Sequence, residues 1–108
     1  AIVSSSRNAP DVLDVAGIAS YFPVVMHGGV ASERGLAGKP APDTFIAAAQ
    51  DLGVAVEHSV VLEDAISGVT AGHAGHFGLV IGVDRGVGAD ALTEAGADLV
   101  VTDLEELL

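Results

Sequence analysis

Short apolar runs alternate with stretches of helical period along this chain, and each of the first runs ends in polar residues. Runs of this kind are buried on both faces as strands of a parallel sheet, because the connecting helices cover them. Strands are predicted at 1–4, 24–26, 59–62, 79–83 and 98–101. Helices are predicted at 9–16, where Ala9, Val12, Leu13 and Ala16 share one face, and from Asp43 to Leu52, with Phe45, Ala49 and Leu52 as the buried stripe. Further helices are expected at 65–74 and 89–95, with a last helical turn at 103–108. Asn8 is the expected N-cap of the first helix, Gly17 and Gly53 stop the first two, and His27-Gly28-Gly29 is read as a loop. The expected fold is one α/β domain with a parallel sheet.

Half of the residues are apolar, yet the aromatics are one Tyr and three Phe, so Val, Leu, Ile and Ala must build the core. Fifteen acidic residues against four Lys and Arg leave a formal net charge of −11, which excludes nucleic acid and an anionic membrane surface as partners. No cysteine is present, so thiolate chemistry and disulfides are excluded. The apolar runs are too short to span a bilayer. The start, Ala1-Ile2-Val3-Ser4, lacks the basic and long apolar regions of a secretory signal, and a cytoplasmic location is expected. The chain opens inside an apparent buried strand and is read as a segment of a longer protein.

Three polar outcrops carry the chemistry. Ser4, Ser5 and Ser6 follow the first strand and bring hydroxyl and backbone donors to a helix N-terminus, where phosphate oxygens bind well. The same residues also serve as a plain capping turn. Lys39, the only lysine, sits between Gly38 and Pro40 in a stiff loop, placed to neutralise a phosphoryl group or to be an ordinary solvated cation. Glu63 and Asp64 follow the run Val60-Val61-Leu62; they are hard oxygen ligands of the kind Mg²⁺ takes, and Asp64 serves equally as a helix cap. Because all three follow strands or open helices, they are expected at one edge of the sheet. His73 and His76, spaced i, i+3 on a predicted helix, lack a third ligand, and Asp84-Arg85 is read as a local turn pair in preference to a place at the rim of the site.

In this order the motifs resemble those of the haloacid dehalogenase superfamily, and most closely its β-phosphoglucomutase-like group. Val3-Ser4-Ser5-Ser6-Arg7-Asn8 is similar to the second motif, Gly38-Lys39-Pro40-Ala41-Pro42-Asp43 to the third, and Val61-Leu62-Glu63-Asp64-Ala65-Ile66-Ser67-Gly68 to the fourth. The resemblance implies a Rossmann-like three-layer core with a parallel sheet. It implies that Ser4 and the N–H of Ser5 bind the transferring phosphoryl group and that Lys39 neutralises it. Glu63 and Asp64 would hold Mg²⁺, while Ser6, Arg7 and Asn8 would contact a second phosphate of a small phosphorylated sugar.

One departure is large. The family's first motif, a strand ending in Asp-x-Asp that carries nucleophile and general acid, is missing, and no Asp-x-Asp occurs in the chain. In the family that strand lies between those ending here at Ser4 and Leu62, so a gap is expected there, and the cap domain is absent too. The missing N-terminal part is expected from the same protein. The resemblance thus implies a Mg²⁺-dependent phosphatase or phosphomutase acting through an aspartyl-phosphate formed outside this chain, with the fragment inactive alone. The alternatives are a non-catalytic phosphate- or sugar-phosphate-binding module and a domain within a multifunctional carbohydrate enzyme.

Overall fold

The computed structural model describes residues 1–108. Its five strands are parallel but fall into two sheets. β1 (Ile2–Val3) pairs with β2 (Val25–Met26), Ile2 opposite Val25 and Val3 opposite Met26. β3 (Val60–Glu63), β4 (Leu79–Val83) and β5 (Leu99–Val101) form the second sheet in that order. The helices between them are α1 (Ala9–Ala16), α2 (Gly28–Glu33), α3 (Asp43–Leu52), α4 (Ile66–Ala74) and α5 (Ala89–Ala95), and a 3₁₀ turn, Leu104–Leu107, follows β5. No helix is long and apolar enough to cross a membrane.

Strand–helix alternation puts α4 and α5 on one face of the larger sheet, and α3 against β1, β2 and α4. Side chains alternate across a strand, so Val61 is buried beneath these helices while Val60 and Leu62, on the opposite face, are half-exposed. The main core joins Phe45, Val61, Val69, Ala71, Val80, Leu92 and Ala97. A smaller one joins Met26, Ala47 and Ala48, and Val3 packs against both.

The expected gap is present. β1 and β3 do not pair with each other, and an apolar cavity of about 440 Å³ touches both, lined by Ile2, Val3, Phe45, Ala49, Val61 and Phe77 among others. Leu52, predicted in the buried stripe of α3, lines this same cavity and is 41% exposed. On α1, Ala9 and Leu13 are buried as predicted, but Val12 and Ala16 are exposed because no element packs over their side of the helix.

Two local expectations are corrected. Residues 27–29 are not a loop: α2 begins at Gly28, with the His27 ring Nδ1 accepting the Gly29 N–H at 3.1 Å. The paired glycines have low helix propensity, but a Cβ at Gly28 would run into the Ser5 carbonyl, so the fold needs glycine there. Asn8 is not the side-chain cap of α1. It is already in the helical region, and Ser6 Oγ accepts the Asn8 N–H at 3.1 Å instead. Ser6 thus makes the local side-chain-to-backbone bond, two residues on, that serines commonly form in turns. Gly17 and Gly53 do end α1 and α3 in left-handed conformations, with φ of 73° and 72°.

Candidate active site

Lys39 brings the three polar outcrops together. Its ammonium donates to the Val3 carbonyl at 3.3 Å, one residue before Ser4, and to Glu63 Oε1 at 2.5 Å. The loop that carries it is closed at both ends: Ala41 N–H bonds the Gly38 carbonyl at 3.1 Å, and Ala37 N–H bonds Asp43 Oδ2 at 3.3 Å. The Lys39–Pro40 peptide bond is cis. A lysine stem is flexible in general, yet here the ammonium is held from the side of each sheet and its loop is itself closed. The Lys39 and Glu63 side chains are only 15% and 11% exposed, so each is the other's main counter-charge.

Glu63 is the last residue of β3. With Oε1 on Lys39, its Oε2 accepts a long bond of 3.4 Å from Ala65 N–H. The side chain fits because residue 68, in the first turn of α4, is glycine: a Cβ there would overlap the Glu63 carboxyl. Asp64 next to it is exposed and takes no hydrogen bond or ion pair, and the helix cap considered for it is not made: Ala65 occupies the N-cap position without a side-chain bond.

Ser4 is anchored through its backbone, whose N–H reaches the Met26 carbonyl at 2.9 Å. Its hydroxyl accepts Ser6 N–H at 3.2 Å, and Ser6 repeats the pattern with Asn8. Each hydroxyl keeps its own O–H free to donate. Ser6, Arg7 and Asn8, the stretch expected to contact a second phosphate, are exposed and make no side-chain bond to Lys39 or Glu63, and so lie outside the Lys39 cluster; Ser5 is exposed as well.

A cavity of about 590 Å³ opens at the carboxyl ends of β3, β4 and β5, lined by Glu63, Asp64, Arg85 and Thr102 among others. Asp84 and Arg85 lie in a local turn after β4, one of the two expectations for them, with no ion pair between their side chains. Asp84 instead accepts the N–H groups of Gly86 and Gly88, both at 3.0 Å, which hold its carboxyl below its ordinary value of 3.8. Arg85 is thereby left at the rim of the cavity that holds both carboxylates. Phe45 was missed: it was read as core, and its ring lies under the Lys39 ammonium, 5.0 Å from nitrogen to centroid. An aromatic six residues after the lysine was the only signal for it.

The histidine pair is not assembled. α4 ends at Ala74, and His76 lies beyond it at φ +59°, off the helix face of His73. No group of three or more His, Asp and Glu is gathered to hold a metal. Glu63 and Asp64 are two adjacent hard-oxygen donors, which fits Mg²⁺, since that ion takes one or two carboxylates and fills its other positions with water and phosphate oxygens.

Comparison with known proteins accords with this geometry. A family model described as haloacid dehalogenase-like hydrolase matches residues 1–76. A β-phosphoglucomutase of Mycobacterium tuberculosis is 50% identical over 111 residues, covering 100% of this chain and 42% of the relative. A trehalose-phosphate phosphatase of Mycobacterium leprae is 36% identical over 112 residues, covering 100% of this chain and 24% of the relative. A haloacid dehalogenase-family hydrolase from Deinococcus radiodurans, solved with bound phosphate and sodium, superposes with a TM-score of 0.81 at 34% identity, over 98% of this chain and 48% of that one. The chain thus spans less than half the length of each of these relatives.

Proposed function

Since this chain belongs to the haloacid dehalogenase-like hydrolases, we propose that it forms the phosphate- and metal-holding part of a phosphoryl-transfer site. The full-length protein is then a Mg²⁺-dependent phosphatase or phosphomutase acting on a small sugar phosphate. The observation that carries this reading is the Lys39 ammonium, bonded at once to the end of β1 and to Glu63 at the end of β3.

Each residue has a role its chemistry allows. Ser4 Oγ–H and the Ser5 N–H donate to oxygens of the transferring group. An ammonium has three donors; with two on Val3 and Glu63, Lys39 keeps one for a phosphoryl oxygen or the nucleophile. Asp64, and the part of Glu63 not committed to Lys39, would hold Mg²⁺, whose charge would offset that on the phosphoryl oxygens when it is bound. Ser6, Arg7 and Asn8 would take a second phosphate, at some distance from Lys39. The nucleophile belongs to an apolar strand contributed by the rest of the protein. The cavity between β1 and β3 is of a kind to receive it, and its carboxyl end would emerge between Ser4 and Glu63. Catalysis is then positioning and charge neutralisation of an in-line transfer, through an aspartyl-phosphate on that strand.

The test is a panel of sugar phosphates with the full-length protein, with and without Mg²⁺, beside its Lys39→Ala and Asp64→Ala variants. Loss of turnover in both variants is expected, and near-wild-type activity in either would contradict the assignment. Phosphate binding without turnover of any substrate would favour a binding module, as would an upstream sequence lacking an apolar strand that ends in Asp-x-Asp.

A further inference from the structure

We propose that Phe45 is a positioning residue for Lys39, acting through the face of its ring and not only through packing. The inference rests on the reading of Lys39 as the charge-neutralising group.

The Lys39 ammonium has three kinds of neighbour: the Glu63 carboxylate, the Val3 carbonyl and the Phe45 ring face 5.0 Å away. That distance lies within the range over which a ring quadrupole attracts a cation, and the attraction grows as the cation loses water. Here the side chain is 15% exposed, so little water competes. The carboxylate alone does not fix the ammonium, since Glu63 offers it a single oxygen and Val3 only a long bond. The ring supplies a further attraction from a group that carries no formal charge and no proton.

The ring is itself oriented. Phe77 packs against it in a T-shaped arrangement, centroids 6.0 Å apart and planes at 71°. Phe77 is in turn held against the end of α4, where a Cβ at Gly75 would lie 2.8 Å from Phe77 Cε2. A run of rigid contacts thus leads from α4 through two rings to the Lys39 nitrogen. Phe45 is 8% exposed and belongs to the main core, so truncating it would damage packing as well as the cation contact.

Fluorination separates the two effects, because fluorine withdraws charge from the ring face while changing its volume little. In the full-length protein, position 45 is replaced by 4-fluoro-, 3,5-difluoro- and 3,4,5-trifluorophenylalanine. The dissociation constant of inorganic phosphate and kcat on p-nitrophenyl phosphate are then measured beside the thermal midpoint. Phosphate affinity and kcat are expected to fall stepwise, about twofold for the first and about tenfold for the last, with the midpoint nearly constant. A flat series while Lys39→Ala abolishes phosphate binding overturns the role of Phe45 and leaves that of Lys39 intact. Phosphate binding unaffected by Lys39→Ala overturns the reading of Lys39 and this inference with it. If the trifluoro variant is unstable, the monofluoro variant still decides: unchanged affinity for it and the difluoro variant rejects the role.

Discussion

The Glu63 side chain lies across the α-carbon of Gly68, five residues on, in the space a β-carbon would fill. The glycine therefore sets the direction of a carboxylate that it does not bond. Helix propensity alone makes Gly68→Ala stabilising by about 1 kcal/mol. Displacing Glu63 into packed surroundings costs about 1–3 kcal/mol, and the Lys39 contact weakens as well. Net destabilisation in urea unfolding is the expected outcome, together with weaker phosphate binding. A gain in stability equal to the propensity difference would show that Glu63 moves freely.

Lys39→Met tests the ion pair from the other side. It leaves the Glu63 carboxylate mostly buried beside Val3 and Phe45 without its cation. Removing one partner of a fully buried pair costs about 3–5 kcal/mol; the residual exposure here lowers the expectation to about 2 kcal/mol. The double variant Lys39→Met with Glu63→Gln should recover most of that stability while remaining inactive. Paired denaturation and turnover measurements check both parts.

Asp64→Asn should behave in the opposite manner. The carboxylate is exposed and bonds nothing in the protein, so stability should change by no more than about 0.5 kcal/mol. Activity, titrated against Mg²⁺ in the full-length protein, should need a much higher metal concentration or be lost. An unchanged Mg²⁺ dependence would remove Asp64 from the ligand set.

Acid should release the turn after β4. Asp84 is held below its ordinary value by the Gly86 and Gly88 N–H groups. A carboxyl depressed in the folded state contributes stability above its ordinary value of 3.8, and that contribution is lost as pH falls below it through the folded value. The Gly86 and Gly88 amide resonances should therefore titrate together below that pH. In Asp84→Asn this titration should vanish.

Much of this was legible because the relevant signals are local. Short apolar runs and period-3.6 patterning mark strands and helices whatever they pack against, and Gly17 and Gly53 act within their own helices. The approach of Lys39 to the ends of β1 and β3 was readable from topology, since each outcrop lies at a strand end or in the loop opening a helix, although the strands form two sheets and not one. What was missed depends on distant neighbours. His27 starts a helix because its ring accepts from Gly29 and because Gly28 must lie under Ser5. Phe45 looked like any core aromatic until Lys39 was placed over it. For Asp84-Arg85 the sequence offers both a turn and a place at the site rim, and the two glycine amides that take up the Asp84 carboxylate show how both hold at once.

Lys39 holds the two-stranded sheet by a main-chain carbonyl and the three-stranded sheet by a carboxylate. The amine is therefore a tie-rod as well as a charge. A shift of one sheet against the other would displace one of the two acceptors that hold the ammonium. The side chain that places the charge thus also joins the two sheets, beside the packing of Val3 against both cores.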